Sequence, residues 1–194
     1  MSIVELRQYT LRPGARETLI ELFEREFVTG QQSAGITVGG RFRDLDAPNR
    51  FVWLRMFPDM TARRRSLEAF YTGPIWRRHR EAANATMTDS DDVLLLRGPG
   101  FTPPPGTREV LATICHRPET TAFATYAARH LNPAHALHRT EHAENDYPHL
   151  PVRTGEDVRL WFGPTEPPPW PTRRLRLEPV TAYQGMARAV GTRA

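Results

Sequence analysis

The chain has almost no cysteine, no lysine and no long apolar run. Its single cysteine, Cys115, excludes both an internal disulfide and a metal site made from several thiolates. That residue lies in the apolar stretch VLATIC, which indicates a buried thiol that packs as a small hydrophobic side chain. No segment has the length and hydrophobicity of a membrane-spanning helix, and the first residues follow a strand pattern rather than that of a signal peptide. We therefore expect a cytoplasmic protein.

Because lysine is absent, arginine supplies all of the side-chain positive charge. The formal net charge is +4 and the pI is near 9.8, values that would suit a nucleic-acid-binding protein. The arginines are, however, interleaved with acidic residues, and the one compact run is Arg63-Arg64-Arg65, without a recognisable nucleic-acid motif. We expect these arginines to lie on solvated helix faces. Neither nucleic acid nor a membrane is expected as a partner.

The stretch GPGFTPPPGT, residues 98–107, divides the chain into two halves, since its prolines and glycines interrupt helices and central strands. The first half reads in the order strand, helix, strand, strand, helix, strand. Strand patterns cover 3–11, 36–45, 50–57 and 91–98, and helical patterns cover 12–28, 58–71 and 74–87. This βαββαβ order is typical of a ferredoxin-like unit.

The second half repeats that order in diverged form. Strand-like segments lie at 108–115, 135–144, 157–163 and 173–180, and one helix ends near residue 131. Where the second helix would come, the segment PTEPPPWP cannot be helical. We predict an α+β fold in which two tandem ferredoxin-like units form one intrachain barrel of the dimeric α/β-barrel type. The predicted domains are 1–97, a linker at 98–107, 108–183, and a C-terminal tail at 184–194.

Alternate residues of a strand point to opposite faces, which separates the strand residues of the first half into two sets. One set is aliphatic and includes Val4, Leu6 and Leu54, and we expect it to pack on helices. The other set mixes charged and aromatic groups, and we expect it to line the barrel interior or a cleft: Glu5, Arg7, Tyr9, Arg41, Arg43, Phe51, Trp53, Arg55 and Phe57. It fits both a binding surface and an ion-pair network that only neutralises itself.

A second candidate site lies on the helix that Pro74 begins. Trp76, His79 and Ala83 share one stripe of this helix. Imidazole titrates near neutrality and therefore suits proton transfer, and the nearby Asn84 amide suits hydrogen bonding to an oxyanion. A histidine on an apolar helix face is also compatible with a simple packing role.

The second half is rich in histidine, with His130, His135, His138, His142 and His149. Two histidines and a carboxylate could form a metal site, but the spacing matches no sharp metal motif. Surface histidines are the preferred interpretation, and we expect no metal.

Four segments together carry a family resemblance: ELRQYTLRPG, RFRDLDAPNRFVWLRMFPDM, FYTGPIWRRHREAANATM and DSDDVLLLR. With them, residues 3–97 resemble the NIPSNAP family. The resemblance implies a ferredoxin-like, dimeric α/β-barrel fold, whose superfamily includes cofactor-free monooxygenases, isomerases, cyclases, dehydratases and haem-degrading oxygenases. The family motif residues that carry over are Glu5, Arg7, Tyr9, Trp53, Arg55, Trp76, His79 and Asn84.

The first hypothesis is a cofactor-independent enzyme of small molecules, of the oxygenase, isomerase or cyclase class and suited to biosynthesis, with a pocket between sheet and helices. Its catalytic candidates are His79, Asn84, Arg55 and Tyr9, and its substrate-binding candidates are Glu5, Arg7, Trp53, Tyr71 and Trp76. The alternatives are a non-catalytic ligand-binding or scaffold protein, and a protein that binds or degrades haem through His79. A monomer and a homodimer are both compatible with two units in one chain.

Overall fold

The computed structural model describes residues 1–180. The predicted tail at 184–194 and the last residues of the second unit, 181–183, lie outside the described residues. The strands are β1 (Ser2–Leu11), β2 (Thr37–Asp44), β3 (Arg50–Phe57), β4 (Met87–Gly98), β5 (Val110–His116), β6 (His138–Thr140), β7 (Val158–Phe162) and β8 (Thr172–Pro179). The α-helices are α1 (Arg16–Leu22), α2 (Val28–Ser33), α3 (Met60–Tyr71), α4 (Pro74–Thr86) and α5 (Thr120–His130). A π-helical turn at Phe23–Phe27 joins α1 to α2, and a 3₁₀ turn follows at Pro133–His135.

All neighbouring strands are antiparallel, and together they close one barrel in the order β1-β3-β2-β8-β5-β7-β6-β4. Within each half, the fourth strand lies beside the first, then come the third and the second, which is the ferredoxin-like order. The edge strands of the first unit, β2 and β4, pair with β8 and β6 of the second unit. The predicted fold is confirmed, and the barrel closes within one chain.

The second unit is reduced in two places. Between β7 and β8 there is no helix, as the proline-rich segment predicted. The strand predicted at 135–144 shrinks to the three residues of β6, because the 3₁₀ turn with its Asn132 cap uses the residues before it. Residues 141–157 then form a long irregular loop that reaches the first unit.

The prediction about strand faces is wrong. The aliphatic set, with Val4, Leu6 and Leu54, fills the barrel interior together with residues of the second unit such as Leu160. The set with Glu5 faces outward, under the helices of the first unit. An eight-stranded barrel is just wide enough to be filled by side chains, and its dry interior has no solvent for charges. Beneath the helices, by contrast, a charge can find partners on α3 and on the long loop.

The segment between the units packs onto the barrel. The Phe101 ring stacks on Phe162 with 3.9 Å between ring centroids, and the Gly40 amide donates to the Phe101 carbonyl at 2.8 Å. At Gly39 a Cβ atom would lie 2.9 Å from this same carbonyl oxygen, and the pairing of β2 with β3 shifts register at the two glycines. The domain limits around this segment remain a prediction. No helix within residues 1–180 combines the length and hydrophobicity needed to cross a membrane.

Candidate functional site

The carboxylate of Glu5, on β1, is the centre of a fully buried ion network. Its Oε2 atom lies 2.6 Å from Arg7 Nη1 and accepts from Arg55 Nε at 2.7 Å, and its Oε1 atom accepts from Arg63 Nε at 2.7 Å. Burial alone would raise the pKa of Glu5, but the charges of Arg55, Arg7 and Arg63 outweigh it and hold that pKa well below its usual range. Glu5 is therefore ionised at neutral pH.

Arg63 corrects the prediction of a solvated arginine run, because its side chain has 0% exposure. It extends from α3 to the long loop of the second unit, where Nη1 donates to Asn145 at 3.0 Å and to Asp146 at 2.7 Å. Three guanidinium groups thus face two carboxylates, those of Glu5 and Asp146, and the network keeps one net positive charge.

Two tyrosine hydroxyls accept hydrogen bonds from these arginines and lie at the space under the helices. Arg7 Nε donates to the Tyr9 hydroxyl at 3.0 Å, and Arg55 Nη1 donates to the Tyr71 hydroxyl at 3.3 Å. Burial raises the pKa of Tyr9 and nearby Tyr71 adds to the rise, although Arg7 opposes it. Each phenol accepts a hydrogen bond from a cation and keeps its own proton to donate, which makes it a strong donor to an oxyanion.

These phenols line a small, partly open cavity of about 30 Å³ between the sheet and the helices. Its wall is largely aromatic and contains Tyr9, Phe23, Phe27, Trp53, Phe70, Tyr71 and Trp76. The π-helical turn places two of these rings on the cavity, since it spans Phe23 to Phe27, and such turns are frequent at functional sites. A cavity of this size holds about one water molecule, so any larger ligand requires a ring in its wall to move.

Two buried polar atoms of cavity-lining residues lack a hydrogen-bond partner: Trp53 Nε1 and Gln31 Oε1. Their side chains come from different elements, β3 and α2. Buried donors and acceptors are seldom left unpaired, because each costs about 1–3 kcal/mol. Both residues line the cavity, but these two atoms have almost no accessible surface, so neither faces its open space.

Comparison with known proteins identifies the first half of the chain. Residues 4–99 match the NIPSNAP family model. Through this half, the chain belongs to the NIPSNAP family. A NIPSNAP-like domain protein from Burkholderia xenovorans is 27% identical, with 53% of this chain and 90% of that chain covered and a TM-score of 0.46. A NIPSNAP family protein from Agrobacterium tumefaciens is 18% identical, with 54% and 99% covered and a TM-score of 0.47.

A second likeness covers nearly the whole chain. A candidate monooxygenase from Lactobacillus acidophilus covers 92% of this chain and 93% of its own length, with 10% identity and a TM-score of 0.55. At this identity the likeness shows the shared fold alone. No curated protein matches the chain.

The residues that carry the NIPSNAP resemblance do not all meet at one place. Glu5, Arg7 and Arg55 form the ion network described above, while Tyr9 and Trp53 line the cavity with Trp76 of α4. The other two α4 residues, His79 and Asn84, are absent from the cavity wall. Asn84 is exposed on the outside of the helix.

His79 of the NIPSNAP domain is partly exposed and lies at the edge of the site. Its Nε2 atom is 3.6 Å from Glu26 Oε2, and its ring meets the edge of Phe27 with 6.4 Å between centroids. Phe27 therefore stands between the imidazole and the cavity. This arrangement does not fit haem, because the cavity beside His79 is far smaller than a porphyrin and the imidazole turns towards a carboxylate.

The histidines outside the NIPSNAP domain are dispersed. His138 is buried in the barrel and His142 is exposed on the long loop, so the two do not converge as the metal alternative required. Within residues 1–180, no three side chains among His, Cys, Asp and Glu are grouped as metal ligands.

A wider groove of about 480 Å³ lies on the outer side of Phe70, between α2 and the start of α4. It is lined mainly by small side chains, and its two charged residues, Arg25 and Glu26, pair with each other at 2.9 Å. The groove is larger than the aromatic cavity, but neither Tyr9 nor Tyr71 lines it.

Four of the residues predicted from the sequence line the cavity, namely Tyr9, Trp53, Tyr71 and Trp76, whereas the sequence did not point to Gln31, Arg63 or Asp146. Gln31 follows Phe27 by one helical turn, so helical spacing could have found it. Nothing local marks Arg63 or Asp146, since their meeting depends on the path of a loop from the other unit.

Proposed function

We propose that this protein is an enzyme that binds a planar small molecule in the aromatic cavity and stabilises a negative charge on its oxygen. The observation that carries the proposal is a pair of phenols, the buried Tyr9 and the partly buried Tyr71, each held by an arginine and both lining the cavity. An aromatic or polyketide-like ketone or phenol suits the rings of the wall. We assign no cofactor to the reaction.

The chemistry follows from the charge of the network. When a carbon next to a carbonyl loses a proton, the enolate oxygen can accept hydrogen bonds from both phenols. The new negative charge also offsets the net positive charge of Arg7, Arg55 and Arg63, which is felt strongly in a site of low dielectric. Return of the proton to another carbon completes an isomerisation. Attack of the carbanion on a second carbonyl carbon of the substrate forms a C–C bond and closes a ring, and the alkoxide that results takes up the proton. Addition of the carbanion to dioxygen forms a C–O bond, and protonation of the peroxide anion gives a hydroperoxide.

Access requires movement of the wall. Trp76 is only half-buried, and its ring contacts Tyr71 at 4.9 Å and Phe27 at 5.7 Å between centroids. In our proposal its displacement admits the substrate and also brings His79 closer to it. His79 then acts as the proton acceptor, with Glu26 at 3.6 Å to stabilise the imidazolium.

The ionisation of bound 4-nitrophenol tests this proposal, because its phenolate absorbs visible light and imitates the oxyanion. We expect bound 4-nitrophenol to ionise at a lower pH than the free compound. In Tyr9→Phe and in Tyr71→Phe, each of which removes one donor, the ionisation constant of bound 4-nitrophenol should be about tenfold lower than in the wild type. Tyr147→Phe is the matched control, because this ring stacks on Tyr71 but does not line the cavity.

Binding without a lowered ionisation pH, or a shift that survives both substitutions, would contradict an oxyanion site. The variants should be compared at equal folded fraction, since each loses a buried hydrogen bond. Circular dichroism and urea denaturation provide that control.

A non-catalytic ligand-binding or scaffold protein is the second candidate. One observation favours it: Glu5, Arg7 and Arg55 pair with one another, as a purely structural network requires. In that case the phenol variants lower stability, and the ionisation of 4-nitrophenol does not respond to them.

Location and assembly complete the proposal. We propose a cytoplasmic monomer, since the thiol of Cys115 is buried and the first and second units satisfy each other's edge strands. Analytical ultracentrifugation of the full chain measures its mass in solution and tests the monomer directly.

A further inference from the structure

A row of three arginines crosses the outer face of the barrel where the two units meet. The strand registers place Arg97 of β4 opposite Arg139 of β6, and Arg139 opposite Arg159 of β7. Leu96 and Leu160, which neighbour this row along their strands, fill the barrel interior, so the arginines point outward. Because neighbouring strands are about 4.8 Å apart, the three side chains leave the sheet side by side.

This arrangement is unfavourable for the protein alone, since like charges directly opposite each other on neighbouring strands repel. Each outer arginine is offset by one carboxylate: Arg97 Nε donates to Glu141 at 2.7 Å, and Arg159 Nη1 donates to Asp157 at 2.7 Å. Arg139, in the middle, is exposed and forms no ion pair with the carboxylates of residues 1–180. One guanidinium group therefore lies between two others without a counter-charge of its own.

The row borders a pocket of about 260 Å³ on the protein surface. Its wall consists of Arg97, Arg139, Thr140, Glu141, His142 and Arg159. Three guanidinium groups and one carboxylate give this wall a net charge of +2 when His142 is neutral. The carboxylate is already occupied, because Glu141 accepts from the Ala143 amide at 3.0 Å as well as from Arg97. The guanidinium groups are thus the polar groups that remain for a ligand.

We propose that this pocket binds a dianionic phosphate group, either as free phosphate or as the monoester of a small molecule. The planar fork of a guanidinium group matches two oxygens of a phosphate, and a phosphate monoester carries about 1.5 to 2 negative charges at pH 7, close to the charge of the wall. An adjoining pocket of about 360 Å³, which shares Thr140, Glu141 and His142, has room for the rest of a monoester.

The phosphate site is independent of the proposed function. It has no lining residue in common with the aromatic cavity, and its arginines are not those of the Glu5 network. Loss of the 4-nitrophenol response would leave the phosphate site untouched, and absence of phosphate binding would leave the oxyanion site untouched.

A titration of the full chain followed by amide NMR tests the site with four probes: inorganic phosphate, ribose 5-phosphate, ribose and acetate. Sodium chloride holds the ionic strength constant, because exposed charges are screened by salt. We expect the phosphates to bind with a Kd of about 1 mM or below, and acetate, with one charge, about tenfold more weakly. Ribose should not bind, and the tighter of the two phosphates identifies the source of the group.

Arg139→Gln removes the guanidinium that lacks a counter-charge and should weaken phosphate binding about tenfold. Arg64→Gln is the matched control, because it makes the same change in net charge at an exposed residue outside the pocket and should keep the wild-type affinity. Since Arg139→Gln also relieves repulsion within the row, its urea midpoint without phosphate should equal or exceed that of the wild type.

Equal affinities for phosphate and acetate would overturn the inference, and so would equal weakening in Arg139→Gln and Arg64→Gln, because either result shows only general attraction to a basic chain. A lower urea midpoint for Arg139→Gln would overturn it as well, since the guanidinium group would then have a stabilising partner within the fold. Binding of a short single-stranded oligonucleotide, but of neither phosphate, would refute a small-molecule site and assign the row to nucleic acid.

Discussion

His138 makes the stability of this protein sensitive to mild acid. Its ring has 0% exposure inside the barrel, where it meets Phe162 edge-on at 5.9 Å between centroids. Neither Nδ1 nor Nε2 has a hydrogen-bond partner. Burial lowers the pKa of His138 from the ordinary 6.5 to about 4, and nearby backbone carbonyls oppose this only in part.

The sign and size of the effect follow from these two values. Above pH 6.5 the imidazole is neutral in both the folded and the unfolded chain, so it adds no pH dependence. Between pH 6.5 and about 4 the unfolded chain binds a proton that the folded chain does not, and folding becomes less favourable as the pH falls. At 1.36 kcal/mol per pH unit, the free energy of unfolding drops by about 3 kcal/mol across this window.

Urea denaturation at several pH values between 7 and 4 measures this loss. The variant His138→Leu cannot bind the proton, so its free energy of unfolding should fall by about 3 kcal/mol less than that of the wild type over the same range. The exposed His142, replaced in the same way, is the control and should leave the wild-type slope unchanged. If the wild type and His138→Leu lose stability in parallel, His138 is not a buried neutral group and the reasoning fails.

Two further predictions concern packing and charge around the barrel. Glu5→Gln leaves buried guanidinium groups uncompensated and should lower the free energy of unfolding by about 3–5 kcal/mol in urea at pH 7. The folded pKa of Glu5 lies below its usual 4.5, so its carboxylate stabilises the fold fully above pH 4.5, and this contribution disappears as the pH falls. The stability of Glu5→Gln should therefore lack this part of the decrease in acid. A decrease in the free energy of unfolding of less than about 1 kcal/mol at pH 7 would contradict a stabilising network. At Gly98 a Cβ atom would lie 2.3 Å from His138 Cδ2, so Gly98→Ala should lower the free energy of unfolding by about 1–3 kcal/mol. In a double-mutant cycle with His138→Ala, the two changes in free energy should not be additive, and additive changes would contradict the contact.

The order of elements could be predicted from the sequence, but the covered face of the sheet could not. Hydrophobic periodicity and the proline-rich segments are local signals, and they located the strands, the helices and the helix missing from the second unit. Strand alternation separates Val4 and Leu6 from Glu5 and Arg7 equally well whichever face is inside. The choice depends on closure of the barrel, which excludes water from the interior on all strands at once.

The arginine run shows a second limit of sequence reasoning. Arg63, Arg64 and Arg65 are identical side chains, yet only Arg63 is buried, because successive residues of a helix point about 100° apart. Burial of the Arg63 side chain is favourable only because its guanidinium pairs with Glu5 and with Asp146. Both partners are distant in sequence, so composition alone suggested a solvated residue.

The two units have the same strand order but differ in the residues at equivalent positions. Thr113 faces Trp161 across β5 and β7 as Arg7 faces Trp53 across β1 and β3, so the second unit retains the tryptophan and replaces the cation. Thr113 carries no charge, so it cannot hold a phenol as Arg7 holds Tyr9. It contributes instead the loop that brings Asp146 to Arg63 and Tyr147 to Tyr71. The second unit therefore closes the barrel and pairs with the buried charges of the first unit, and neither role requires a second helix of its own.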